Sequence, residues 1–379
     1  MRVGIDLVSE KGTPGGIHTY TNRLLEALAE CEAAADVELV VFANDDYRWL
    51  FPVEGARRLR ILRTGRSGLG ASRRRLLQQL AVPRLAREAR VDLIHSVNNV
   101  LPLAADVPAV VTVHDLSPFE LPERFGLLKR SFLRWAVPRS VRRAARVIAD
   151  ARSVREEILR RIPGARPERI HVVPLAAGAE FHPRRQEAEE SALRRRHGLP
   201  EEFLLTVGAA EPGKNHRGIA RALEVLRSRE GLSPAWAIAG AAGSDGRRLA
   251  AELQASLIGP QAILLGMVEG DDLPHLYRMA KILVFPSLYE GFGLPLLEAL
   301  ACGTPAITSD VSSLPEVAGR AALRVPAREP EALARAIARL WNGPRLRSIL
   351  SRRGPDQASR FSWREAASQT LGVYRAVLA

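Results

Sequence analysis

Short apolar runs alternate with amphipathic stretches of helical period along the whole chain, and this alternation limits the fold more than any other feature. It is typical of parallel sheets whose strands are joined by crossover helices. The strands predicted in the first half are Arg2 to Leu7, Val37 to Phe42, Leu93 to Ser96, Ala109 to Val113, Arg146 to Ala149 and Ile170 to Val173. Those in the second half are Phe203 to Val207, Ala235 to Ala239, Ala262 to Leu265, Ile282 to Pro286 and Pro305 to Thr308. The repeated scheme predicts an α/β protein of two Rossmann-like domains.

The length of the chain also favours two domains, because 379 residues of which 46% are hydrophobic exceed what one core usually serves. A boundary is predicted between Pro174 and Pro183, where a strand pattern ends and a highly charged helix follows. The N-terminal domain then spans residues 1–178 and the C-terminal domain residues 179–361, with a cleft expected between them. Ligands of open α/β sheets bind beyond the carboxyl ends of the strands, so we seek functional residues in the loops found there.

Two features of the sequence bear on where the protein works. No apolar stretch approaches the roughly 20 residues that cross a bilayer, and Met1 leads directly into a strand pattern. A cytoplasmic protein is therefore expected. Cys31 and Cys302 are the only cysteines, too few for a disulfide framework or a cysteine-based metal site.

The formal net charge of +13 is unevenly spread, since residues 51–150 carry 19 Arg or Lys against 8 Asp or Glu. Such a surface attracts anionic membrane, a lipid-phosphate acceptor or nucleic acid, whereas a solvated arginine-rich surface needs no partner at all. Nucleic acid is disfavoured, because the basic stretches Arg57 to Arg60 and Arg73 to Arg75 lack interleaved aromatic residues. Peripheral contact with an anionic membrane stays a candidate and would place the protein at the inner face of that membrane.

The loop after the fourth predicted strand of the second half carries the strongest chemical signal. Pro295 suits the first turn of a helix, whose unpaired amides and positive dipole end form a site for an anion such as a diphosphate. Gly291 and Gly293 let the backbone approach that anion closely. Glu290 and Glu298 bracket the turn, and carboxylates accept hydrogen bonds from sugar and ribose hydroxyls. In the simpler alternative, Glu298 complements the helix dipole and Glu290 is a solvated turn residue.

Glu290 and Glu298 lie within Pro-Ser-Leu-Tyr-Glu-Gly-Phe-Gly-Leu-Pro-Leu-Leu-Glu-Ala-Leu-Ala-Cys-Gly-Thr-Pro, which resembles the signature of the retaining GT-B glycosyltransferases of family four. Further motifs follow in the order expected of that family: Val113-His114-Asp115-Leu116, Val173-Pro174-Leu175, Val207-Gly208 through Lys214-Asn215, and Phe361-Ser362-Trp363 through Tyr374-Arg375. The resemblance spans nearly the whole chain and implies the GT-B fold, two Rossmann-like domains facing each other across a cleft. A final helix, about 362–379, is then expected to cross back to the N-terminal domain.

The resemblance also implies an activity: transfer of a hexose from a nucleotide diphosphate sugar to a glycan or lipid-linked acceptor, with retention of anomeric configuration and no resident cofactor. The sequence is similar in general look to bacterial mannosyltransferases of surface polysaccharide assembly, so mannose is the first expectation. Glu298 would hold the nucleotide ribose, Glu290 the donor sugar, and the amides of Phe292, Gly293 and Leu294 the sugar and phosphate. The sequence has no Asp-x-Asp and no cluster with metal-ligand spacing, so transfer without a metal is expected.

The loop from Gly208 to Asn215 approximates a P-loop. Asn215, however, stands where Ser or Thr would hold magnesium, which disfavours a nucleotide triphosphatase. The family resemblance instead implies that Lys214 neutralises the donor diphosphate and stabilises the leaving nucleotide. Relatives commonly carry an Arg beside this Lys or just after the strand's Gly, whereas this chain has Ala209 and Gly213. Either another Arg substitutes for the missing cation, or donor affinity is low.

His114 and the pair Met267 and Val268 each follow a predicted strand at its carboxyl end. A packed or surface histidine is the simple interpretation of His114. The resemblance implies instead that His114 faces the donor sugar, where its side chain or carbonyl helps to place the anomeric carbon. At Met267 and Val268 relatives contact the nucleotide base through the backbone, so these side chains say little about which base is bound.

Gly15 and Gly16 lie between the first predicted strand and the first predicted helix, after Gly12-Thr13-Pro14. They match the glycine loop that the family places near the diphosphate and acceptor, although a plain loop is the alternative. His18 and Tyr20 would then line the acceptor site.

Other functions remain open beside the transferase. Within enzymes, the Glu290 and Glu298 arrangement disfavours a sugar-nucleotide epimerase, and the lack of an obvious cofactor-lysine motif disfavours a phosphorylase of the same architecture. The missing Arg is the best argument for another class altogether, a catalytically inactive sugar-nucleotide-binding or scaffold subunit of a glycan assembly complex.

Overall fold

The computed structural model describes residues 1–10, 12, 15–47, 59–268 and 270–379. The chain forms two compact units, each built from a parallel sheet and helices. The first unit comprises Met1–Phe119, Gly126–Leu175 and Ser362–Ala379, and the second comprises Glu120–Phe125 and Ala176–Phe361. The predicted domains differ from this division in two places, since residues 120–125 and 176–178 group with the second unit.

The segment Glu120–Phe125 belongs to the second unit because of two contacts. Arg124 Nη2 lies 2.7 Å from Glu211 Oε2. Leu121 packs so closely on Gly213 that a Cβ added to this glycine would lie 3.0 Å from Leu121 Cδ1. Residues so far apart in the chain give no local sign of such a contact, which is why the sequence pattern left this segment in the N-terminal domain.

The sheet of the first unit has seven parallel strands among the described residues, in the order β3-β2-β1-β4-β5-β6-β7. They are β1 (Arg2–Leu7), β2 (Glu38–Ala43), β3 (Leu59–Arg63), β4 (Leu93–Ser96), β5 (Ala109–Val113), β6 (Arg146–Ala149) and β7 (Ile170–Val172). The predicted parallel α/β architecture is confirmed. Strand β3 was not predicted, because it lies at the sheet edge and its Leu-Arg-Ile-Leu-Arg sequence is only half-buried.

The sheet of the second unit has six parallel strands in the order β10-β9-β8-β11-β12-β13 across the part of the chain that the structure describes. They are β8 (Phe203–Val207), β9 (Ala235–Ala239), β10 (Ala262–Gly266), β11 (Ile282–Phe285), β12 (Ala306–Ser309) and β13 (Ala322–Val325). Strand β13 was also missed, and it too is a short edge strand with an exposed arginine. The core between this sheet and its helices includes Trp236, whose indole donates to Thr206 Oγ1 at 2.8 Å.

Helices connect the strands of both units. Within the described ranges they are α1 (Gly16–Glu30), α2 (Ala71–Ala89), α3 (Ser117–Glu120), α4 (Leu127–Arg143), α5 (Arg152–Arg161), α6 (Glu187–His197), α7 (His216–Glu230), α8 (Gly246–Gln254), α9 (Asp272–Met279), α10 (Leu294–Ala301), α11 (Leu314–Ala318), α12 (Pro330–Trp341), α13 (Pro344–Ala358) and α14 (Trp363–Leu378). None of these helices is both long enough and apolar enough to cross a membrane.

Helix α14 belongs to the first unit although it ends the chain. Its start is fixed by an N-cap, in which Ser362 Oγ accepts from the Glu365 amide at 3.1 Å. Further along, the buried Tyr374 hydroxyl lies 2.7 Å from His95 Nδ1 on β4. The cap and this buried contact seat the helix on the first sheet.

Candidate active site

The carboxyl edge of the second sheet is built around a reversal in strand order. Strand β8 pairs with β9 on one side and with β11 on the other, so the chain leaves β8 and β11 toward opposite sides of the sheet. Such a switch point opens a crevice between two loops, where ligands of open α/β sheets bind. The loop after β8 carries Lys214 and the loop after β11 carries Glu290. The amide of Leu288 donates to the Gly213 carbonyl at 2.8 Å and joins the two loops.

Lys214 and Glu290 meet at this switch point. Lys214 Nζ lies 2.7 Å from Glu290 Oε1, with 20% and 14% of the two side chains exposed. The ammonium also stands 5.0 Å from the centre of the Phe285 ring, a cation–π contact. Gly208 makes room for the lysine stem, since a Cβ there would lie 3.1 Å from Lys214 Cε. The structure therefore brings together two of the predicted site residues in an ion pair that water can still reach.

The backbone of the turn from Glu290 to Leu294 is fixed by its neighbours after β12. The Glu290 amide donates to Ser312 Oγ at 2.9 Å, and Ser313 Oγ donates to the Phe292 carbonyl at 2.7 Å. Gly293 adopts φ +102°, and a Cβ there would lie 2.7 Å from Leu314 Cδ2, so this position requires glycine.

The same turn delivers the start of helix α10 to the switch point. Leu294 begins that helix directly after Gly293, with Pro295 in its first turn. The predicted anion site therefore has the local geometry it needs, namely amides at a helix start beside a lysine. Gly291 is half-buried, and the Phe292 ring is buried edge-on against Phe361 at 5.7 Å between ring centres. The amides of the turn, and not the Phe292 ring, remain for a ligand.

Glu298 lies one turn into α10 and is 8% exposed. The Tyr277 hydroxyl, wholly buried on α9, donates to Glu298 Oε2 at 2.8 Å. Burial and then the nearby Glu298 charge raise the pKa of Tyr277 well above its usual value, so this hydroxyl keeps its proton. Tyr277 thus orients the carboxylate, and the role of Glu298 in holding a ribose stays a prediction.

Met267 and Val268 follow β10, the strand beside β9. Met267 is 57% exposed, so its side chain projects into solvent and not into the core. The preceding Gly266 has φ +67°, and its carbonyl accepts from the Gly240 amide at 2.7 Å. The loops after β9 and β10 are thereby joined at the same edge of the sheet as Lys214. Contact with a base at these residues stays a prediction.

His114 directly follows β5 in the first unit and is buried. Its Nδ1 lies 2.7 Å from Asp150 Oδ2, and its Nε2 lies 2.6 Å from the Val97 carbonyl oxygen. A carbonyl only accepts, so Nε2 carries a proton. With both ring nitrogens engaged, the backbone carbonyl of His114 is the better candidate for the predicted contact with a sugar.

Folding raises the pKa of both His114 and Asp150. Burial alone lowers the pKa of His114, but the charge and hydrogen bond of Asp150, together with the bond to Val97, raise it above its usual 6.5. Burial raises the pKa of Asp150, against the opposing effect of His114. Both directions favour proton uptake, so one proton is held between imidazole and carboxylate.

Gly15 and Gly16 lie at the start of α1, and both are exposed. A Cβ on Gly16 would meet no atom within 4 Å, so the space beside Gly16 itself is open. The neighbouring Thr13 and Pro14 lie outside the described residues. Tyr20 is buried, its hydroxyl 2.9 Å from Thr112 Oγ1 and its ring edge-on to His114. Tyr20 is thus a core residue, which does not suit the acceptor-lining role predicted for it.

Comparison with known proteins places this geometry in a family. The family model described as Glycosyl transferases group 1 matches residues 189–357, and that of the Glycosyl transferase 4-like domain matches residues 15–176. The chain is 31% identical over 289 residues to O-antigen chain mannosyltransferase B of Escherichia coli, which covers 76% of this chain and 75% of that protein. The chain belongs to the glycosyl transferases group 1 family.

Two further similarities extend the comparison. The serotype-specific mannosyltransferase WbdA of Escherichia coli is 30% identical over 284 residues, which cover 73% of this chain but 34% of WbdA. The chain thus spans about a third of the length of that relative. The structure of HepE from Anabaena in complex with UDP and glucose matches with a TM-score of 0.76 and 19% identity over 99% of both chains. This likeness shows the fold, which is GT-B, as the resemblance implied.

The two basic residues that follow Lys214 most closely in the chain do not supply the arginine that the family resemblance predicts. Arg217, one turn after Lys214, is held by Asp245 and Glu252, and these hydrogen bonds raise its pKa. His216 is buried, and burial followed by the charge of Lys214 lowers its pKa to about 4, so it is neutral at pH 7. Lys214 is therefore the positive side chain that this loop offers to a ligand.

Several residues of this glycosyltransferase that matter to the site were not predicted. Asp150 directly follows β6, so the carboxyl-end rule that led to His114 would have led to it as well. Ser312 and Ser313 follow β12 in the same way. Tyr277 looks like an ordinary core aromatic on α9, and only the fold shows that its hydroxyl reaches Glu298. Among the described residues, no group of three His, Cys, Asp or Glu side chains could hold a metal ion.

Proposed function

We propose that the protein transfers a hexose, mannose in the first instance, from a nucleotide diphosphate sugar to a glycan or lipid-linked acceptor. The observation that carries the proposal is the Lys214–Glu290 pair at the switch point between β8 and β11, beside the start of α10. A cation and helix amides at one point suit the diphosphate of such a donor, including the oxygen that leaves. The carboxylate beside them suits the hydroxyls of the sugar.

Donor binding would exchange the partners of this pair. The diphosphate takes Lys214 Nζ and the amides of Phe292, Gly293 and Leu294, which frees Glu290 to accept from the hydroxyls of the sugar. Glu298, held by Tyr277, accepts from the ribose. The exchange is feasible because the pair is neither buried nor held by a further described contact of the ammonium with a carboxylate.

The transfer step follows from this arrangement. As the bond between the anomeric carbon and the diphosphate oxygen breaks, its electron pair leaves with the nucleotide diphosphate, whose charge Lys214 and the α10 amides stabilise. The acceptor hydroxyl bonds to the anomeric carbon from the face that the leaving group vacates, and its proton passes to the departing diphosphate oxygen, so configuration is retained. We propose that no metal or other cofactor takes part, and that Lys214 and the α10 amides are the groups that stabilise the diphosphate charge.

Relatives guide the choice of donor and acceptor. The relative with 31% identity is named an O-antigen chain mannosyltransferase, which supports mannose and a surface-polysaccharide acceptor. HepE, matched in fold, was solved with UDP and glucose, so a uridine donor is the competing choice. We place GDP-mannose first because the chain is 31% identical to the mannosyltransferase but 19% identical to HepE.

A donor panel tests the proposal. GDP-mannose, UDP-glucose, UDP-galactose and GDP alone are compared by thermal shift, and nucleotide diphosphate release is then followed with mannose-terminated acceptors and with chelator present. We expect GDP-mannose to raise the melting temperature most, release to depend on acceptor, and chelator to change neither. NMR of the product should show the anomeric configuration of the donor. If only the UDP donors raised the melting temperature, GDP-mannose would be ruled out as the donor. A product of inverted anomeric configuration would rule out retention.

A second candidate function is a sugar-nucleotide-binding subunit without catalysis. Ala209 and Gly213, where relatives commonly carry a second cation, are the observation that favours it. The same panel separates the two, because this subunit would show the thermal shift and release no nucleotide diphosphate with any acceptor.

A further inference from the structure

Helices α2 and α4 lie on one face of the first sheet. Each leads from a strand to another one further toward the β7 edge, from β3 to β4 and from β5 to β6, and right-handed crossovers in one direction use one face. The guanidinium of Arg75 on α2 lies 5.5 Å from the Phe132 ring on α4, which shows the two helices side by side.

The outer surface of these two helices is apolar where a helix facing water would be polar. On α2, Leu76 and Leu80 are one turn apart and are 62% and 68% exposed. On α4, Leu128 and Trp135 are two turns apart and are 90% and 48% exposed. Both pairs point away from the buried stripes of their helices, Gln78 to Ala89 and Leu133 to Val141. We call these four side chains the α2–α4 face.

Basic residues surround the α2–α4 face. Helix α4 carries six Arg or Lys and no Asp or Glu, whereas α2 carries five Arg and one Glu. Arg84 and Arg87 on α2 pair with Glu88 and Asp106, so the excess positive charge is concentrated on α4. Arg139 lies over the Trp135 ring at 4.3 Å, which places a guanidinium directly beside the exposed indole.

The C-terminal end of α4 opens onto a basic cavity of about 210 Å³ in the same unit. It is lined by Arg142, Arg166, Arg169, Gly164 and three aliphatic residues, with no acidic side chain. Three arginines without a carboxylate suit phosphate groups, which accept several hydrogen bonds from guanidinium. An anionic group lying against α4 would therefore find a second place to bind at its end.

We propose that the α2–α4 face binds the surface of an anionic phospholipid bilayer. Exposed leucines and an indole enter the boundary between headgroups and acyl chains, as in helices that lie on membranes, while arginines and the cavity at Arg142 bind lipid phosphates. The positive charge around the apolar residues favours an anionic bilayer over a neutral protein surface as the partner. This binding needs neither donor nor acceptor, so it stands or falls independently of the proposed transfer.

Vesicle sedimentation tests the assignment with the whole protein. Wild type is mixed with vesicles of phosphatidylcholine containing phosphatidylglycerol, and with vesicles of phosphatidylcholine alone. Leu128→Glu and Trp135→Glu alter the α2–α4 face, and Leu257→Glu is the matched control, since Leu257 is 72% exposed in the second unit. We expect strong binding to the anionic vesicles only, weakened by salt, with about a tenfold loss in each α2–α4 variant and none in the control.

The arginines are tested separately with Arg139→Glu and Arg142→Glu, each expected to reduce partitioning by more than the roughly fivefold that one basic residue contributes. Circular dichroism confirms folding of every variant. Equal binding to neutral vesicles, equal loss in Leu257→Glu, or unchanged binding of Leu128→Glu would overturn the proposal. So would Leu128→Glu dissociating an oligomer in sedimentation velocity while vesicle binding stays the same, because the face would then bind a second copy of the chain.

Discussion

The two units each place a positive group against a carboxylate after neighbouring strands, and the two pairs differ in access to solvent. In the first unit His114 Nδ1 lies 2.7 Å from Asp150 Oδ2, with 9% and 3% of the side chains exposed. In the second unit Lys214 Nζ lies 2.7 Å from Glu290 Oε1, with 20% and 14% exposed. Contact distance alone therefore does not distinguish a pair that fixes structure from one that can bind a ligand.

The surroundings of each pair make the distinction. His114 has its second nitrogen on the Val97 carbonyl, so releasing Asp150 would leave a buried group without a partner. Lys214 carries its charge on a flexible stem at a sheet edge, beside helix amides that also favour an anion. We infer that the first pair holds the end of β5 in place, while the second can give its lysine to a diphosphate.

Breaking the buried pair should give the largest effect. Asp150→Ala leaves His114 buried without its carboxylate, which costs about 3–5 kcal/mol of stability for pairs of this kind. Glu290→Ala should cost about 1 kcal/mol or less. Because two units need not unfold together, amide hydrogen exchange of β5 and β6 is the measurement, supported by urea unfolding. Equal losses of protection in both variants would contradict the comparison.

Breaking the accessible pair should affect transfer instead. Lys214→Ala removes the cation from the leaving diphosphate, and we expect kcat to fall about 10²- to 10³-fold, as when one stabilising donor is lost. The matched control is Lys281→Ala: Lys281 Nζ lies 2.6 Å from Glu202 Oε1 and stands over the Trp341 ring, so it has the same kind of partners. Transfer by Lys281→Ala should match wild type, and a similar loss in both variants would indicate a structural role for Lys214.

How far the sequence predicts these two regions depends on how local their signals are. The turn at Glu290 could be predicted because Gly293 and Pro295, which lie close together in the sequence, indicate a tight turn followed by a helix start. The contacts that orient the carboxylates could not be predicted, because strand β11 lies between Tyr277 and Glu298, and α3, α4 and β6 lie between His114 and Asp150. Pairing across elements requires the sheet order, which no local pattern contains.

The strands show the same limit in the fold. The strands that were predicted are apolar runs, and most are buried on both faces, whereas β3 and β13 are edge strands interrupted by arginine. The other two edge strands, β7 and β10, contain no arginine and were predicted, so edge position alone does not hide a strand. An uninterrupted apolar run made most of the strands predictable from the sequence.

The dependence of stability on pH should sharpen the contrast further. The pKa of His114 is raised above 6.5 on folding, so its stabilising contribution is complete below pH 6.5 and is lost as pH rises through the folded pKa. A difference of one between the folded and unfolded pKa corresponds to about 1.4 kcal/mol. Wild type should therefore lose stability above pH 6.5, whereas Asp150→Asn should lose less.

Asp6 does not interfere with this measurement, because it changes stability over a lower pH range. Burial raises the pKa of Asp6 from 3.8 to about 6, despite hydrogen bonds from Gln78 and Ser96. Asp6 also stabilises the folded state at low pH, and this contribution is lost as pH rises from 3.8 to about 6. The loss is largely complete by pH 6.5. Melting temperatures of wild type, Asp150→Asn and Asp6→Asn across this range separate the two groups. Identical slopes above pH 6.5 in wild type and Asp150→Asn would contradict the role given to His114.

Adding a cation to the accessible pair should give the smallest effect. Ala209 is half-buried in the loop after β8, where the family resemblance predicts an Arg. Ala209→Arg would give the diphosphate a second positive partner beside Lys214. A charge-assisted hydrogen bond contributes about 1.5 kcal/mol at the low end of its range, so we expect the donor Kd to fall about tenfold. Isothermal titration with donor measures it, and Ala242→Arg, exposed in the loop after β9, controls for added charge. An unchanged Kd in Ala209→Arg would mean that the site is already complete with Lys214 and its helix amides alone.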